Sequence, residues 1–265
     1  GYRPNSRGLS PDVTTLADLL KSHGYYTHHI GKWHMGDTVE QAQPHHQGFD
    51  SWFGFLNQWR LRGRQKDDEI ILGNPTYQNP WLESSSGPGK RFKGNLTDIL
   101  TEHTLQKLRE LADIRQPWFV NLWYYAPHEP IQPPEGYMRR YPNTPKGKYH
   151  ALLHQLDDSI GEILKSLEKS GQVENTIVVI ASDNGGTNKY TDNNRPFFGK
   201  KVFFNEGGVR TPLLIRWPRH IKPGQISDET VAIFDMFPTL ASLVGVPLPD
   251  SIDGIDISPV FQGKK

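Results

Sequence analysis

Three polar segments of this 265-residue chain carry side chains that could bind a metal ion and an anion. They are GKWHMG with Lys32 and His34, APHEP with His128, and SDNGG with Asp183 and Asn184. An aspartate beside an asparagine offers hard oxygen ligands, which suit calcium or magnesium better than zinc. Lysine and histidine side chains near such an ion would surround a tetrahedral oxyanion with positive charge and hydrogen-bond donors. This chemistry indicates a bound sulfate or phosphate group.

A fourth segment, FFGKKVFFNEGGVRTP, adds Lys200, Lys201, Glu206 and Arg210 shortly after SDNGG. By itself it is explained equally well as a basic loop that ends in a glycine turn. The other three segments, taken singly, also have ordinary explanations as solvated loops or turns. If the four segments are considered together, either Lys200 or Lys201 is expected to bind the same anion.

Alternating strand and helix patterns predict how these segments are positioned. The chain predicts helices over residues 10–23, 97–114, 148–170 and 234–244, and strands over residues 25–30, 118–125, 176–181 and 211–217. This alternation predicts an α/β fold with a mainly parallel sheet and helices on both faces. Ligands of such sheets bind beyond the carboxyl ends of the strands. Because GKWHMG, APHEP and SDNGG each follow a predicted strand, we expect them to converge.

Local residue types predict two helix starts and one irregular region. Ser10 is the predicted cap of the first helix, and Thr97 is the predicted cap of the second. Residues 44–94 are rich in Gly, Pro, Asn, Gln and aromatic residues without a sustained period. We therefore predict an extended loop region there.

The composition narrows the classes of partner. Lys and Arg total 30 and Asp and Glu total 29, so the net charge gives no reason to expect nucleic acid or an anionic membrane. No apolar run approaches the roughly 20 residues that a membrane span needs. Cysteine is absent, which excludes disulfides, thiolate metal ligands and a cysteine nucleophile within these residues. The length predicts a single α/β domain over residues 1–265.

Five ordered segments resemble the sulfatase family of the alkaline phosphatase superfamily. They are TLADLLKSHGYYTHHIGKWHMG, PWFVNLWYYAPHEP, LDDSIGEILKSLEKSGQVENTIVVIASDNGG, GKKVFFNEGGVRTPLLIRWP and FDMFPTLASLVGVPLPDSIDG, and together they cover nearly the whole chain. The resemblance implies an alkaline phosphatase-like fold and the hydrolysis of sulfate esters. It also implies a calcium ion, with magnesium as the second choice.

The resemblance also implies functions for individual residues, carried over by matching position. Lys32 resembles a sulfate-binding lysine of the family, and His34 resembles the histidine that supports the nucleophile. His128 resembles the histidine that contacts the leaving oxygen and protonates it. Asp183 and Asn184 resemble two calcium ligands.

Lys201 resembles the second sulfate-binding lysine, because it stands five positions before Glu206. The family commonly has glycine on both sides of that lysine, whereas this chain has Lys200 and Val202. The choice between Lys200 and Lys201 therefore stays open.

The family's nucleophile has no counterpart in this sequence. It is a formylglycine made from Cys or Ser in a C/S-x-P-S-R motif, and its hydrated aldehyde attacks sulfur before sulfate is expelled. The nearest text here is RPNSR, in which Tyr2 stands two positions before Pro4 and Asn5 intrudes, so Ser6 and Arg7 receive no catalytic assignment. We expect the nucleophile upstream of this sequence and most of the smaller C-terminal subdomain beyond it. These residues alone are predicted to be inactive.

Two other functions stay open at this point. One is a phosphonate monoester or phosphodiester hydrolase of the same superfamily, and the other is a non-catalytic relative that binds sulfated glycans. The expected ligand is a small-molecule or glycan sulfate ester, with a sulfated carbohydrate as the first choice. Five side chains of the irregular region could hold such a sugar, although packing explains them equally well: Trp52, Trp59, Arg60, Arg62 and Arg64.

The resemblance predicts a secreted or periplasmic protein, and the sequence gives no indication of its oligomeric state. Asn95-Leu96-Thr97 fits a glycosylation acceptor. That short pattern is common by chance, and Thr97 has a competing function as the predicted helix cap.

Overall fold

The computed structural model describes residues 8–63, 73–190 and 194–261. The chain divides into two compact units, Gly1–Ser166 (unit 1) and Leu167–Lys265 (unit 2). The single domain predicted for residues 1–265 stays a prediction. The RPNSR segment and Arg64 lie outside the described residues.

A mixed sheet of five strands forms the centre of unit 1. Strand β1 (Tyr26–Lys32) pairs in parallel with β2 (Ser51–Phe55) on one side and with β5 (Trp118–Trp123) on the other. Strand β3 (Trp81–Ser84) pairs antiparallel with β2, and β4 (Gly87–Arg91) pairs antiparallel with β3. The predicted α/β fold is confirmed, and the carboxyl ends of the three parallel strands share one end of the sheet.

Four helices belong to the same part of the chain: α1 (Leu16–Ser22), α2 (Leu96–Ala112), α3 (Glu135–Met138) and α4 (Pro145–Lys169), whose last turn enters unit 2. Helices α2 and α4 match the predicted long helices closely. Among the described residues, no helix is both long enough and apolar enough to cross a membrane.

Alternate side chains of β1 face two different apolar clusters, because successive residues of a strand point to opposite faces. Ile30 packs in one cluster with Leu100 of α2 and Leu152 of α4. The ring of His29 lies 5.5 Å from that of Phe49, which belongs to a second cluster with Ala17 of α1. Helices therefore cover both faces of the sheet, as predicted.

Unit 2 contains a two-stranded antiparallel sheet and short helices. Strands β6 (Val178–Ala181) and β7 (Leu213–Arg216) pair with each other. Most side chains of both strands are partly exposed. The remaining helices are α5 (Glu206–Val209), α6 (Met236–Leu243) and α7 (Ser258–Phe261).

The first helix begins later than predicted, because a stronger cap lies inside the predicted range. The Thr15 hydroxyl accepts a hydrogen bond from the Asp18 backbone N–H at 3.1 Å, and the Asp18 carboxylate accepts one from the Thr15 N–H at 2.9 Å. These reciprocal bonds form a capping box. Ser10, the predicted cap, instead accepts a bond from the Asp12 N–H at 3.3 Å.

Two further predictions were wrong. Asn95, and not Thr97, caps α2, since its side-chain oxygen accepts the Thr97 N–H at 3.0 Å. Residues 44–94 were predicted to form an extended loop region, yet they contain β2, β3 and β4. Most of the side chains of β4 are exposed, so this strand lacks the apolar alternation that signals a strand.

Candidate functional site

Lys32 is the last residue of β1, where it lies beside Phe55 of β2. The strand extends two residues beyond its predicted end, so the pairing of β1 with β2 fixes the Lys32 backbone. The Lys32 Nζ lies 6.0 Å from the centre of the Tyr125 ring, within range of a cation–π interaction. The half-buried Lys32 ammonium is thus held near the carboxyl end of the parallel strands.

His34 follows two residues later and is exposed. Its N–H donates to the Leu56 carbonyl at 2.9 Å, and the Trp33 N–H donates to the Phe55 carbonyl at 3.0 Å. His34 has a φ of 64°, in the left-handed region that few residues other than glycine adopt. The backbone bond to Leu56 holds His34 in this conformation.

His128 stacks on the same Tyr125 ring, with 4.9 Å between ring centres. Its Nδ1 lies 2.9 Å from the Glu129 carbonyl oxygen. Because a carbonyl oxygen can only accept, Nδ1 carries a proton, and Nε2 is the nitrogen that gains or loses one. Nε2 is thus the atom through which His128 would exchange a proton with a ligand.

Tyr125 is a site residue that the sequence reasoning missed. Its ring is buried, and its hydroxyl donates to the Glu129 carbonyl. Burial raises the pKa of the Tyr125 hydroxyl well above its usual value, which keeps the group neutral. The sequence interpretation placed Tyr125 in an apolar strand, although an aromatic residue directly before APHEP could have served as a signal.

A chain of polar side chains, most of them buried, supports the His128 loop. The Tyr77 hydroxyl donates to the His128 carbonyl at 2.8 Å, and the Tyr77 N–H donates to the Gln132 side chain at 2.9 Å. The Asn95 amide donates to the Gln132 carbonyl at 3.1 Å, and the Gln155 amide donates to Asn95 at 3.0 Å. These residues are far apart in sequence, so no local pattern could have identified them.

Asp183 and Asn184 follow β6, and their side chains offer oxygen atoms that could ligate a metal ion. The Asp183 side chain is exposed and makes no hydrogen bond or ion pair with another residue of the described ranges. The Asn184 Nδ2 donates to the Gly185 carbonyl at 2.9 Å, which leaves its Oδ1 to accept from or ligate another group. A carboxylate and an amide oxygen fit a hard cation such as calcium, although such an ion takes about six to eight oxygen ligands.

Backbone contacts join the SDNGG segment to the segment that carries Lys201. The Gly185 N–H donates to the Gly208 carbonyl at 2.9 Å, and the Lys201 N–H donates to the Gly186 carbonyl at 3.0 Å. A Cβ at Gly185 would lie 2.0 Å from the Gly207 carbonyl oxygen, so only glycine permits this approach. Unit 2 therefore brings Lys201 next to the segment of Asp183 and Asn184.

Asn194 reinforces this junction and was also missed. Its side chain is 8% exposed. It accepts from the Gly186 N–H at 2.8 Å and donates to the carbonyls of Gly186 at 2.9 Å and Gly199 at 3.1 Å. Asn194 holds both segments in place.

Val202 bears on the choice between Lys200 and Lys201. Its φ is 81°, a conformation that favours glycine and strains a β-branched residue. The sulfatase resemblance implies a glycine after the second sulfate-binding lysine, and Val202 adopts a glycine-like backbone at that position. Lys200 is exposed and lies over the Phe203 ring at 5.7 Å, whereas Lys201 is half-buried. These features favour Lys201.

The proposed sugar-contacting residues are largely engaged elsewhere. Trp52 is 6% exposed and packs in the core, and Trp59 is half-buried. Arg60 forms an ion pair with Glu83, with Nη2–Oε1 at 2.5 Å, while the Arg62 side chain donates to a backbone carbonyl at 2.7 Å. Core packing therefore explains Trp52, and the ion pair with Glu83 explains Arg60, better than ligand contact does.

The structure thus assembles two sets of the predicted site residues. Lys32 and His128 share Tyr125 in unit 1, while Lys201 is joined to the Asp183 and Asn184 segment in unit 2. His34 is exposed after β1. The convergence of the two sets stays a prediction.

Comparison with known proteins shows which family this chain resembles. The Sulfatase family pattern matches residues 2–246. The chain is 33% identical over 276 residues to N-acetylgalactosamine-6-sulfatase of Rattus norvegicus, covering 99% of this chain and 50% of that protein. It is 30% identical over 287 residues to arylsulfatase A of Homo sapiens, covering 98% and 54%. The chain therefore spans about half the length of these relatives.

A solved structure has the same fold. The crystal structure of Ps i-CgsB in complex with k-i-k-neocarrahexaose superposes with a TM-score of 0.85 at 30% identity, covering 97% of this chain and 59% of that one. A family match over nearly the whole chain, together with the α/β fold, shows that this chain belongs to the sulfatase family.

Proposed function

We propose that these residues form the sulfate-binding core of a calcium-dependent sulfatase that hydrolyses sulfate esters of carbohydrates. The observation that carries the proposal is the pairing of Lys32 and His128 on the Tyr125 ring. A lysine and a histidine held together at the end of parallel strands can bind an oxyanion and protonate its leaving group.

Lys32 and Lys201 would each donate hydrogen bonds to oxygens of the same sulfate group and balance its charge. Family membership implies a divalent cation, and we propose calcium because Asp183 and Asn184 offer only oxygen ligands. A bound calcium ion would neutralise sulfate charge and orient the ester. Calcium takes about six to eight oxygen ligands, so further residues of the full-length protein would complete the site.

His128 would act as the general acid. As the bond between sulfur and the ester oxygen breaks, its electron pair goes to that oxygen, and His128 Nε2 donates the proton that completes the alcohol. The Glu129 carbonyl keeps the Nδ1 proton in place, so the ring stays correctly oriented. Overall, one water is consumed, and an alcohol and a sulfate are released. The nucleophile, a formylglycine in the family, would lie outside these 265 residues, with His34 supporting it.

A carbohydrate substrate is supported by the names of the similar proteins. One is a sulfatase of N-acetylgalactosamine, and another was solved with a neocarrahexaose. Because the chain belongs to the sulfatase family, we also propose a secreted or periplasmic location.

The decisive experiment compares esters with the same leaving group on the full-length protein that contains this chain. We expect nitrophenyl sulfate to be hydrolysed with a kcat/KM at least about 100-fold above those of a nitrophenyl phosphonate monoester and a bis-nitrophenyl phosphate. A preference for the phosphorus esters would instead make the protein a phosphonate or phosphodiester hydrolase. Tight binding of a sulfated glycan without any turnover would make it a binding protein.

A further inference from the structure

Three side chains on the connection between β1 and β2 form a compact cluster of metal-binding atoms. Glu40, His45 and His46 each place one potential ligand atom within 4.8 Å of the other two. The rings of His45 and His46 are 4.2 Å apart at their centres, and His46 Nε2 lies 3.9 Å from a Glu40 oxygen. All three side chains are exposed, so an ion can reach them from solvent.

The backbone holds these residues in two consecutive 3-10 turns, Glu40–Ala42 and Pro44–His46. The Gln43 N–H donates to the Glu40 carbonyl at 2.9 Å, and the His46 N–H donates to the Gln43 carbonyl at 3.0 Å. The backbone of Gln43 is thus hydrogen-bonded to both Glu40 and His46, which links the two turns.

Buried contacts anchor these two turns to the fold. Ala42 and Pro44 are buried beneath it, and the Trp33 indole N–H donates to the Ala42 carbonyl at 2.7 Å. The Gln47 side chain donates to the Gln41 carbonyl at 2.9 Å. The positions from which the three ligands project are thus fixed before any ion binds, which lowers the entropic cost of binding.

The donor set selects a kind of metal ion. Two imidazole nitrogens and one carboxylate oxygen match the ligands of zinc sites, whereas calcium and magnesium prefer oxygen donors alone. Ligand atoms bound to zinc at about 2.1 Å are separated by about 3.4 Å in tetrahedral geometry. The three atoms now lie within 4.8 Å of one another, so a further approach of about 1.4 Å or less would give that spacing.

We propose that Glu40, His45 and His46 bind one transition-metal ion of the zinc class, with a fourth position left for water or an external ligand. The site differs in donor chemistry from the oxygen donors of Asp183 and Asn184. Through the bond between Ala42 and Trp33, bound metal would also stabilise the segment that links Lys32 to His34.

The test is a titration of the protein with Zn²⁺ by isothermal calorimetry, repeated with Co²⁺ by visible absorption, on protein without a histidine tag. Excess Ca²⁺ is present throughout, so that oxygen-ligand sites are already filled. We expect one saturable equivalent of Zn²⁺ and a rise in Tm on binding.

Variants locate the site. His45→Ala combined with His46→Ala should weaken Zn²⁺ binding at least about 100-fold, and Glu40→Gln about 10-fold, since even outer partners of metal ligands contribute 10- to 100-fold. The matched control is His150→Ala combined with His154→Ala, a histidine pair one turn apart on α4, which should change affinity less than about twofold.

Two results would overturn the proposal. One is a wild-type protein that takes up no saturable equivalent, in which case the cluster is a surface ion pair only. The other is equal loss of affinity in the test and control pairs. The Tm of each variant, measured without metal, shows whether the variant is folded like the wild type. If the Tm of the His45 and His46 variant is lowered, Glu40→Gln provides the test instead.

Discussion

Lys32 and His128, which are nearly a hundred positions apart in the sequence, share one neighbour, the buried ring of Tyr125. The Lys32 ammonium lies 6.0 Å from the centre of this ring, and the His128 ring stacks on it at 4.9 Å. The strand pairing of β1 with β5 makes this arrangement possible, because it brings the two chain segments to the same end of the sheet. A cation and a potential proton donor thereby contact the same aromatic ring.

His128→Ala should slow esters according to their leaving groups. If His128 protonates the departing oxygen, alkyl and sugar sulfates should lose about 100- to 10,000-fold in kcat, whereas nitrophenyl sulfate should lose much less, since its leaving group needs little protonation. The measurement is kcat for both ester classes with the full-length protein. Equal losses on both would remove the acid assignment.

Gly185→Ala should separate the two segments that carry Asp183 and Lys201. The added Cβ would lie 2.0 Å from a backbone oxygen, so the loops must move apart. We expect at least a tenfold loss of kcat/KM and weaker calcium binding, both measured on the full-length protein. Gly161→Ala is the control, because a Cβ there meets no atom within 4 Å and the helix gains up to about 1 kcal/mol. Equal activity in both variants would show that the close approach is dispensable.

The protein should lose stability as the pH falls below about 6.5. The pKa values of His28 and His29 are lowered from 6.5 to about 3, and burial is the largest cause of both shifts. Between these values the unfolded chain binds protons that the folded chain does not, so the free energy of unfolding decreases on acidification. Each fully buried histidine contributes up to about 1.4 kcal/mol per pH unit. Urea unfolding between pH 7.5 and 5.0 measures the slope.

His29→Gln separates this effect from general acid sensitivity. The variant replaces a titrating imidazole with a neutral amide. His29 is 0% exposed, and Trp33, Phe49 and Trp123 surround its ring. Whatever its stability at neutral pH, its free energy of unfolding should depend less steeply on pH than that of the wild type. An unchanged slope would contradict the assignment.

Asn95 should carry no glycan, even after expression in a secreting eukaryotic cell. Its side chain is 6% exposed, its Nδ2 donates to Gln132, and its Oδ1 caps α2. Intact mass before and after glycosidase treatment checks this, and any mass loss assigned to Asn95 would contradict it. Asn95→Ala should destabilise the protein by about 2 kcal/mol, since it loses a helix cap and a buried hydrogen bond.

Much of the site could be predicted from the sequence because strand ends are locally encoded. Apolar runs identify β5 and β6, and the polar residues that follow each of these strands are the predicted site residues His128, Asp183 and Asn184. The Tyr77 support of His128 could not be predicted in this way, since it depends on side chains brought together by tertiary packing. The cap of the first helix was predicted wrongly for a related reason. Ser10 and Thr15 are both good cap residues, and only the reciprocal hydrogen bonds between Thr15 and Asp18 decide between them.

In residues 44–94, the sequence patterns did not predict the strands that the structure contains. Strands β3 and β4 form a hairpin with only two residues between them, but most side chains of β4 face solvent, so apolar alternation does not reveal this strand. Aromatic residues there suggested ligand contact, yet Trp52 proved to be core. Composition alone does not distinguish an aromatic side chain that packs from one that binds.

The most direct test of this account is a crystal structure of the full-length protein with Ca²⁺ and a slowly hydrolysed sulfate ester. We expect one sulfate group within about 3.2 Å of the Lys32, His128 and Lys201 side-chain nitrogens. The same sulfate should contact a cation ligated by Asp183 and Asn184. Sulfate bound to one set of these residues, with the cation and the other set at a separate location, would contradict it.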